Sequence, residues 1–467
     1  METAYDLIVI GAGPGGYVSA VRGAQYGMKV AVVEKDALGG TCLHRGCIPT
    51  KTLLHTAGLC RELREADAIG ISVGDVKIDL DRIYQRKREV TGKLRDGIGF
   101  LFESNHIDLI PGCAQIIAPG KVKVSKGDET CILKAKNILI ASGSIPTRPP
   151  IPGLELPGVI TSDDLLGDAP PSFKSLVIIG GGVIGVEFAT LLHDFGLEIT
   201  VIEAMNRILP TMDREISQNL SMLLKKRGVA LYTSAMVQRI ETCGDGLCCH
   251  FTQKEKETAV NAQAVLVAIG RRANVRDLFA QGMQVRQNRG ILVDEAFQTS
   301  IQGIYAIGDV VDGGIQLAHV ASAQGCCAVA HMVGWPAPID LKTVPACIYT
   351  SPEIASVGIT ADQAKEQGIP VKTGKFILSG NGKSIIENQD RSFIKLVFHE
   401  DTQVLLGAQL MCARATDLIS ELATAVANSF TLEQLSQVIR PHPTYTEAVT
   451  EAVEDALGRA IHIAPRV

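Results

Sequence analysis

The sequence predicts an α/β protein, and three observations carry that expectation. Residues 7–34 (LIVIGAGPGGYVSAVRGAQYGMKVAVVE) and 176–203 (LVIIGGGVIGVEFATLLHDFGLEITVIE) repeat one plan at a constant offset without a gap. Each copy runs from an apolar, β-branched stretch through G-x-G-x-x-G into a helical stretch, a glycine, a second strand and a terminal glutamate. Two further segments, NILIASGSIPTRPPIPG (137–153) and AVLVAIGRRAN (264–274), each leave a strand through small residues into prolines or arginines. They read as exits from a nucleotide-binding sheet and place boundaries near 145 and 270. The repeat therefore predicts two Rossmann-like dinucleotide-binding domains, and the segment around KEQGIPVKTGKFILSG reads as a separate α+β unit toward the C-terminus.

Length and composition agree with this plan. A chain of 467 residues is too long for one ordinary core, and two to four domains are expected. An apolar fraction of 46% with 20% charged residues is that of a globular enzyme. The net charge of −5 gives no electrostatic basis for binding nucleic acid or an anionic membrane. No apolar run approaches a membrane span, and the opening METAYDLIVIGAGPGG lacks the basic start and cleavage site of a secretory signal. The expected setting is cytoplasmic, or the mitochondrial matrix in a eukaryote.

Each glycine of the repeat has a task. In the first copy Gly11 permits the tight turn, Gly13 lets backbone approach a pyrophosphate, and Gly16 lets helix pack on strand. Gly180, Gly182 and Gly185 do the same in the second copy. The pyrophosphate meets free N–H groups at the positive end of a helix. Glu34 and Glu203 stand where an acid accepts bonds from ribose hydroxyls. A carboxylate at 203 repels a 2′-phosphate and favours NAD over NADP; nearby Arg207 reads as a surface residue rather than a phosphate ligand. Gly112, Ser142, Gly143, Gly270 and Gly308 are further candidate cofactor contacts. Asp309, in TSIQGIYAIGDV, suits either a ribitol contact or a helix N-cap.

The twelve cysteines are scattered, as in a reducing compartment, and no disulfide framework is expected. LCCH (247–250) and GCC (325–327) lack a second ligand pair at zinc spacing, so no metal is expected. Cys42 and Cys47, in GGTCLHRGCIPTK, are different. Positions i and i+5 of an ideal helix lie roughly 8.6 Å apart at Cα. A disulfide needs about 4.4–6.8 Å. The pair can bridge only if the helix is distorted, which Gly46 and Pro49 permit. Two readings stay open on spacing alone: a redox dithiol at a helix start, with Arg45 adding positive charge, or two free thiols near a turn.

Taken together, GGTCLHRGCIPTK, the two fingerprints, IYAIGD (304–309), LAHVASAQG (317–325) and HPTYTEAV (442–449) resemble the pyridine nucleotide–disulfide oxidoreductases over the whole chain. The resemblance implies FAD in the first site, held by Gly11, Gly13, Gly16, Glu34 and Asp309, with Ala318 and His319 beside the flavin. It implies NAD in the second. Lys51 matches a lysine near the reactive edge of the flavin, with Glu187 as its partner. Cys42 and Cys47 match the redox disulfide, Cys42 exchanging with substrate and Cys47 facing the flavin. His442 matches the base and Glu447 its orienting acid, reaching the disulfide of the other subunit of a homodimer. The implied division is a FAD-binding domain at 1–145, an NAD-binding domain at 146–270, a central FAD part at 271–338 and an interface domain at 339–467.

The implied activity is oxidation of protein-bound dihydrolipoamide to lipoamide with reduction of NAD⁺. The implied partners are the lipoyl domains and core of a 2-oxo acid dehydrogenase complex, or the H protein of glycine cleavage. A glutathione- or mercuric-reductase-like activity is the alternative. It fits less well, because Glu203 opposes a 2′-phosphate and the last cysteine is Cys412, far from the C-terminus. Three residues depart from many relatives: His44 and Arg45 between the cysteines, and Arg440 where a second histidine is common.

Overall fold

The computed structural model describes residues 4–389 and 391–464. The first sheet opens with β1 (Ala4–Ile10), followed by α1 (Pro14–Gln25) and β2 (Val30–Glu34). Leu7, Ile8 and Val9 of β1 are fully buried, as expected of a parallel strand covered on both faces. Pro14 occupies the first turn of α1, where its missing N–H costs nothing. Next come α2 (Gly40–His44), α3 (Cys47–Glu65) and the long α4 (Leu80–Ser104), whose N-cap Asp79 accepts from Arg82 N at 3.0 Å. Strands β3 (Asp108–Pro111), β4 (Cys113–Ala118), β5 (Lys121–Lys126) and β6 (Glu129–Ile140) complete the first run. The sheet order is β3-β2-β1-β6-β5-β4, parallel through β6, with β4 and β5 added antiparallel.

The chain leaves this sheet through β7 (Ser144–Pro146) and enters a second one. Its elements are β8 (Val159–Thr161), α5 (Ser162–Leu165), β9 (Ser175–Ile179), α6 (Val183–Asp194), β10 (Glu198–Ile202), α7 (Arg214–Lys226) and β11 (Ala230–Tyr232). An antiparallel ribbon of β12 (Ala235–Cys243), β13 (Gly246–Gln253) and β14 (Lys256–Ala262) follows, then β15 (Ala264–Val267). The parallel order is β11-β10-β9-β15-β8. The chain returns through β16 (Arg271–Ala273), antiparallel to β7, so the two exits read in the sequence form one ribbon. Strand β17 (Ile304–Ala306) then joins β6, and α8 (Ala318–Met332) packs on α1.

Last comes an antiparallel sheet, ordered β18-β19-β22-β21-β20, from β18 (Ala346–Ile348), β19 (Glu353–Gly358), β20 (Val371–Ile377), β21 (Phe393–His399) and β22 (Leu405–Cys412). Helices α9 (Ala361–Glu366), α10 (Gly382–Ile386), α11 (Ala415–Ala427), α12 (Leu432–Ser436) and α13 (Glu447–Ala456) accompany it. Among the described residues no helix is long and apolar enough to cross a membrane.

A buried lysine ties the first half to the second. Lys87 of α4 lies over the Tyr84 ring at 4.5 Å and donates to the carbonyls of Leu166 and Gly167 just past α5. The Tyr84 hydroxyl donates to Leu165 O at 2.9 Å. These donors satisfy carbonyls at the end of α5. Burial holds the Lys87 amine down to about 8.

The repeat is reproduced in three dimensions. A Cβ on Gly16 would lie 1.8 Å from Gly11 O, and one on Gly185 would lie 2.0 Å from Gly180 O. Helix α6 can lie this close to β9 only without a side chain there. Gly185→Ala is expected to destabilise the chain by about 1–3 kcal/mol, the usual cost of overpacking. Gly182→Ala, with nothing within 4 Å of its Cβ, should cost under about 1 kcal/mol. Urea unfolding of the two variants checks the contrast.

Candidate redox and dinucleotide sites

Two backbone cradles stand at equivalent places in the two sheets. Gly11 and Gly180 turn with φ of +101° and +111°, values reserved for glycine. Gly13 and Gly182 cap α1 and α6 with no side chain on the helix N–H groups, and a Cβ at either would meet nothing closer than about 4 Å. Free N–H groups, open space and a helix dipole fit a pyrophosphate in each cradle. The acids do more than their position suggested. Glu34 accepts from Ala12 N at 2.7 Å and Asp36 N at 2.9 Å. Glu203, buried, accepts from Gly181 N at 2.5 Å and Met205 N at 2.6 Å. Each carboxylate braces the glycine turn of its own cradle. Arg207 is turned away, donating to Pro210 O at 2.8 Å.

The other candidate contacts gather around the first cradle and the ribbon. Gly112 donates to Glu34 O at 2.9 Å with φ of +150°. Ser142 and Gly143 are locked to Asn274, and Gly270 O accepts from Thr147 N. Gly308 N donates to Gln324 Oε1 at 2.7 Å. Asp309 caps no helix; it accepts from Ser144 Oγ at 2.6 Å. Ser144 in turn accepts from Arg271 Nε at 2.9 Å, and Arg271 reaches Asp163 at 3.2 Å. The sequence marked only a basic pair at 271–272, so this chain from Asp309 to α5 carried no local signal. Ala318 opens α8, and His319 Nε2 lies 2.9 Å from Pro345 O.

The cysteine segment is not one helix. Helix α2 ends at His44, Arg45 and Gly46 break the path, and α3 starts at Cys47. Gly46 adopts φ −151° and ψ −113°, and a Cβ there would press on Thr41 O at 3.1 Å. Pro49 sits in the first turn of α3, where no N–H is needed. The break brings the two sulfurs close enough to shift each other's ionisation, and both are free thiols. The neighbouring Cys42 thiol holds Cys47 down to about 7. The Lys51 ammonium and the N–H of Cys47 itself also lower it, while burial and Glu187 oppose. The neighbouring Cys47 sulfur, with burial, drives Cys42 well above the ordinary thiol range.

Arg45 does not serve the thiols as expected. Its guanidinium is half exposed and pairs with Asp36 at 2.5 Å. Lys51 supplies the positive charge instead. Its Nζ lies 3.0 and 2.9 Å from the two carboxylate oxygens of buried Glu187, joining α3 to α6. His44 bonds Leu38 O at 2.7 Å and takes no part in the thiol contact.

The C-terminal pair is formed. His442 Nδ1 lies 2.9 Å from Glu447 Oε1, and Glu447 Oε2 accepts from Thr444 N at 2.9 Å. Burial opposes ionisation of Glu447, but Thr444 N–H and His442 overcome it and hold its carboxyl below the ordinary value. The His442 side chain is 77% exposed, leaving the other ring nitrogen free to meet a substrate or second chain. Among the described residues the dyad makes no hydrogen bond or ion pair to the cysteine segment. Arg440 points inward, its buried guanidinium bonding Glu421 and Thr450. His462 also has a carboxylate, Glu451 at 2.7 Å, a second pair that no motif in the sequence marks.

A sequence model of the pyridine nucleotide-disulphide oxidoreductases matches residues 5–325, and one of that family's dimerisation domain matches 344–453. The chain belongs to this family. A dihydrolipoyl dehydrogenase of Bacillus subtilis is 43% identical over 99% of this chain and 100% of its own length. One of Chlamydia pneumoniae is 38% identical over 100% of both. Among solved structures, the HOCl-induced flavoprotein disulfide reductase RclA of Escherichia coli, as a Cu(II) complex, superposes with a TM-score of 0.87. It is 29% identical and covers 97% of this chain and 99% of its own. LpdA of Mycobacterium tuberculosis gives the same TM-score and identity over 96% and 99%. The α/β fold with two dinucleotide-binding sheets is that of the pyridine nucleotide–disulphide oxidoreductases. FAD and a pyridine nucleotide are the family's cofactors, and the two cradles fit them.

In the reduced protein, thiolate absorbance measured against a Cys47→Ser control is expected to develop with a midpoint near pH 7. Lys51→Met should raise that midpoint by about one unit or more, since an opposite charge nearby is lost. A midpoint unchanged in Lys51→Met would remove Lys51 from the thiol's environment.

Proposed function

We propose that the chain oxidises dihydrolipoamide to lipoamide and delivers the reducing equivalents to NAD⁺. The observation that carries this reading is the pair of free thiols gathered at the break between α2 and α3. Cys47 is a good leaving thiolate, and Cys42 keeps its proton in the reduced state. The curated relatives named dihydrolipoyl dehydrogenase, matched end to end, support the same substrate. Glu203, buried against the second cradle, supports NAD⁺ as acceptor, because a 2′-phosphate there would meet a carboxylate.

In the oxidised state the pair is a Cys42–Cys47 disulfide. The free nitrogen of His442 takes a proton from one thiol of the substrate, while Glu447 fixes the ring through Nδ1. The substrate thiolate attacks Cys42 Sγ; the S–S bond breaks and Cys47 leaves as thiolate. The second substrate thiol then attacks its own mixed-disulfide sulfur. Its bond to Cys42 breaks and lipoamide closes its ring; Cys42 takes the first proton from His442, and the second thiol's proton replaces it on the imidazole. Two electrons have passed to the cysteine pair. FAD, when bound, supplies the conversion from thiol to hydride chemistry, with NAD⁺ as acceptor. Gly11, Gly13, Gly16, Glu34 and Asp309 would hold FAD, and Gly180, Gly182, Gly185 and Glu203 would hold NAD⁺.

His442 is highly exposed, which suits a dyad serving a second copy of the chain. We therefore read the protein as a homodimer in which the partner subunit's His442 faces each cysteine pair, with the segment from 339 onward as the interface. Lipoyl domains of a 2-oxo acid dehydrogenase complex, or a glycine-cleavage H protein, would present the substrate. Exposed free thiols at Cys113, Cys131 and Cys243 suit a reducing, cytoplasm-like setting.

His442→Gln is expected to lower dihydrolipoamide oxidation about 10²–10⁴-fold while FAD content and thermal stability hold. Steady-state assays with NAD⁺ and NADP⁺ check it. Wild-type turnover in the variant, or a preference for NADP⁺, would sink the reading.

A further inference from the structure

Tyr349 lies outside every motif the sequence displays, yet it touches both members of the Lys51–Glu187 pair. It follows β18, in the region matched as the dimerisation domain, and its chain turns there toward the nucleotide-binding half. Its backbone N–H donates to Glu187 Oε1 at 2.9 Å. Its ring lies under the Lys51 ammonium, 4.6 Å from Nζ to centroid, within the range of a cation–π contact. Burial raises its hydroxyl above the ordinary tyrosine range.

These contacts bear on where the lysine charge acts. The Lys51 side chain is about a third exposed and has solvent as an alternative. Two carboxylate oxygens and one aromatic face fix its ammonium. The carboxylate is shared, since Glu187 Oε1 also accepts from Tyr349 N–H. That amide takes up part of the negative charge that would otherwise offset Lys51. The groups facing Cys47 are Cys42, Lys51 and Glu187; those facing Tyr349 are Lys51, Cys347, Glu353 and Glu187.

We propose that Tyr349 is a positioning residue for the redox pair, its ring and N–H holding Lys51 and Glu187 so that the ammonium stays turned toward Cys47. The C-terminal segment thus reaches the thiols by a second route besides the His442–Glu447 dyad. This rests on reading Cys42 and Cys47 as the reactive pair.

The test is the pH midpoint of Cys47 thiolate formation in reduced holoprotein, read as thiolate absorbance against Cys47→Ser. Tyr349→Phe keeps the ring and should leave the midpoint in place. Increasingly fluorinated phenylalanines at 349 keep the shape while draining the ring face, and should raise it stepwise. Tyr349→Leu should raise it further, though by less than Lys51→Met, and should add nothing in a Lys51→Met background. A midpoint indifferent to fluorination, or a Leu effect that persists without Lys51, would overturn the proposal. If Tyr349→Leu does not fold, the fluorinated series decides alone. The readout uses no substrate, so a protein that fails to oxidise dihydrolipoamide still shows whether Tyr349 positions Lys51.

Discussion

The close approach of two sulfurs organises this protein. It makes chemically identical side chains unequal, one held as thiol and the other released toward thiolate at neutral pH. A regular helix through 42–47 would hold the two residues too far apart to meet. The chain therefore ends one helix at His44 and begins another at Cys47, with Gly46 packed where a Cβ would press on Thr41 O. Starting α3 at Cys47 also places that sulfur at the positive end of a helix of 19 residues.

The dinucleotide cradles solve a different problem with equally few parts. A pyrophosphate needs backbone N–H groups, so side chains must be absent at the cap and at the helix–strand contact. The glutamates that end β2 and follow β10 tie the turns down with both carboxylate oxygens. Repetition of this arrangement in two sheets, with helices α1 and α6 in register, argues that one structural unit was used twice.

Much of this was legible in the residues. Glycine spacing located both cradles, because backbone approach and positive φ are demands that few residue types meet. The broken helix was foreshadowed by Gly46 and Pro49, and the His442–Glu447 pair by its resemblance to family members. Contacts between distant segments were not legible. Arg45 looked like the thiols' counter-charge by adjacency, but its side chain found Asp36, while Lys51 lay one helical turn beyond Cys47 on the side facing Glu187. Tyr349 gave no local signal, since its value comes from an amide and a ring meeting residues far along the chain. Arg440, a departure from relatives, proved to be an internal anchor, bonded to α11 and α13.

The path from Asp309 through Ser144 and Arg271 to Asp163 has a mechanical side. It crosses from the first sheet to the second in three polar contacts, the last being the longest, at 3.2 Å. The ribbon of β7 and β16 clamps the arginine backbone, and Ser144 O and Oγ grip most of its head. The guanidinium–Asp163 contact shares this junction with Lys87 on the Leu166 carbonyl and Lys51 on the Glu187 carboxylate. Asp309, on the first sheet, is thereby joined through one serine and one arginine to the helix that opens the second.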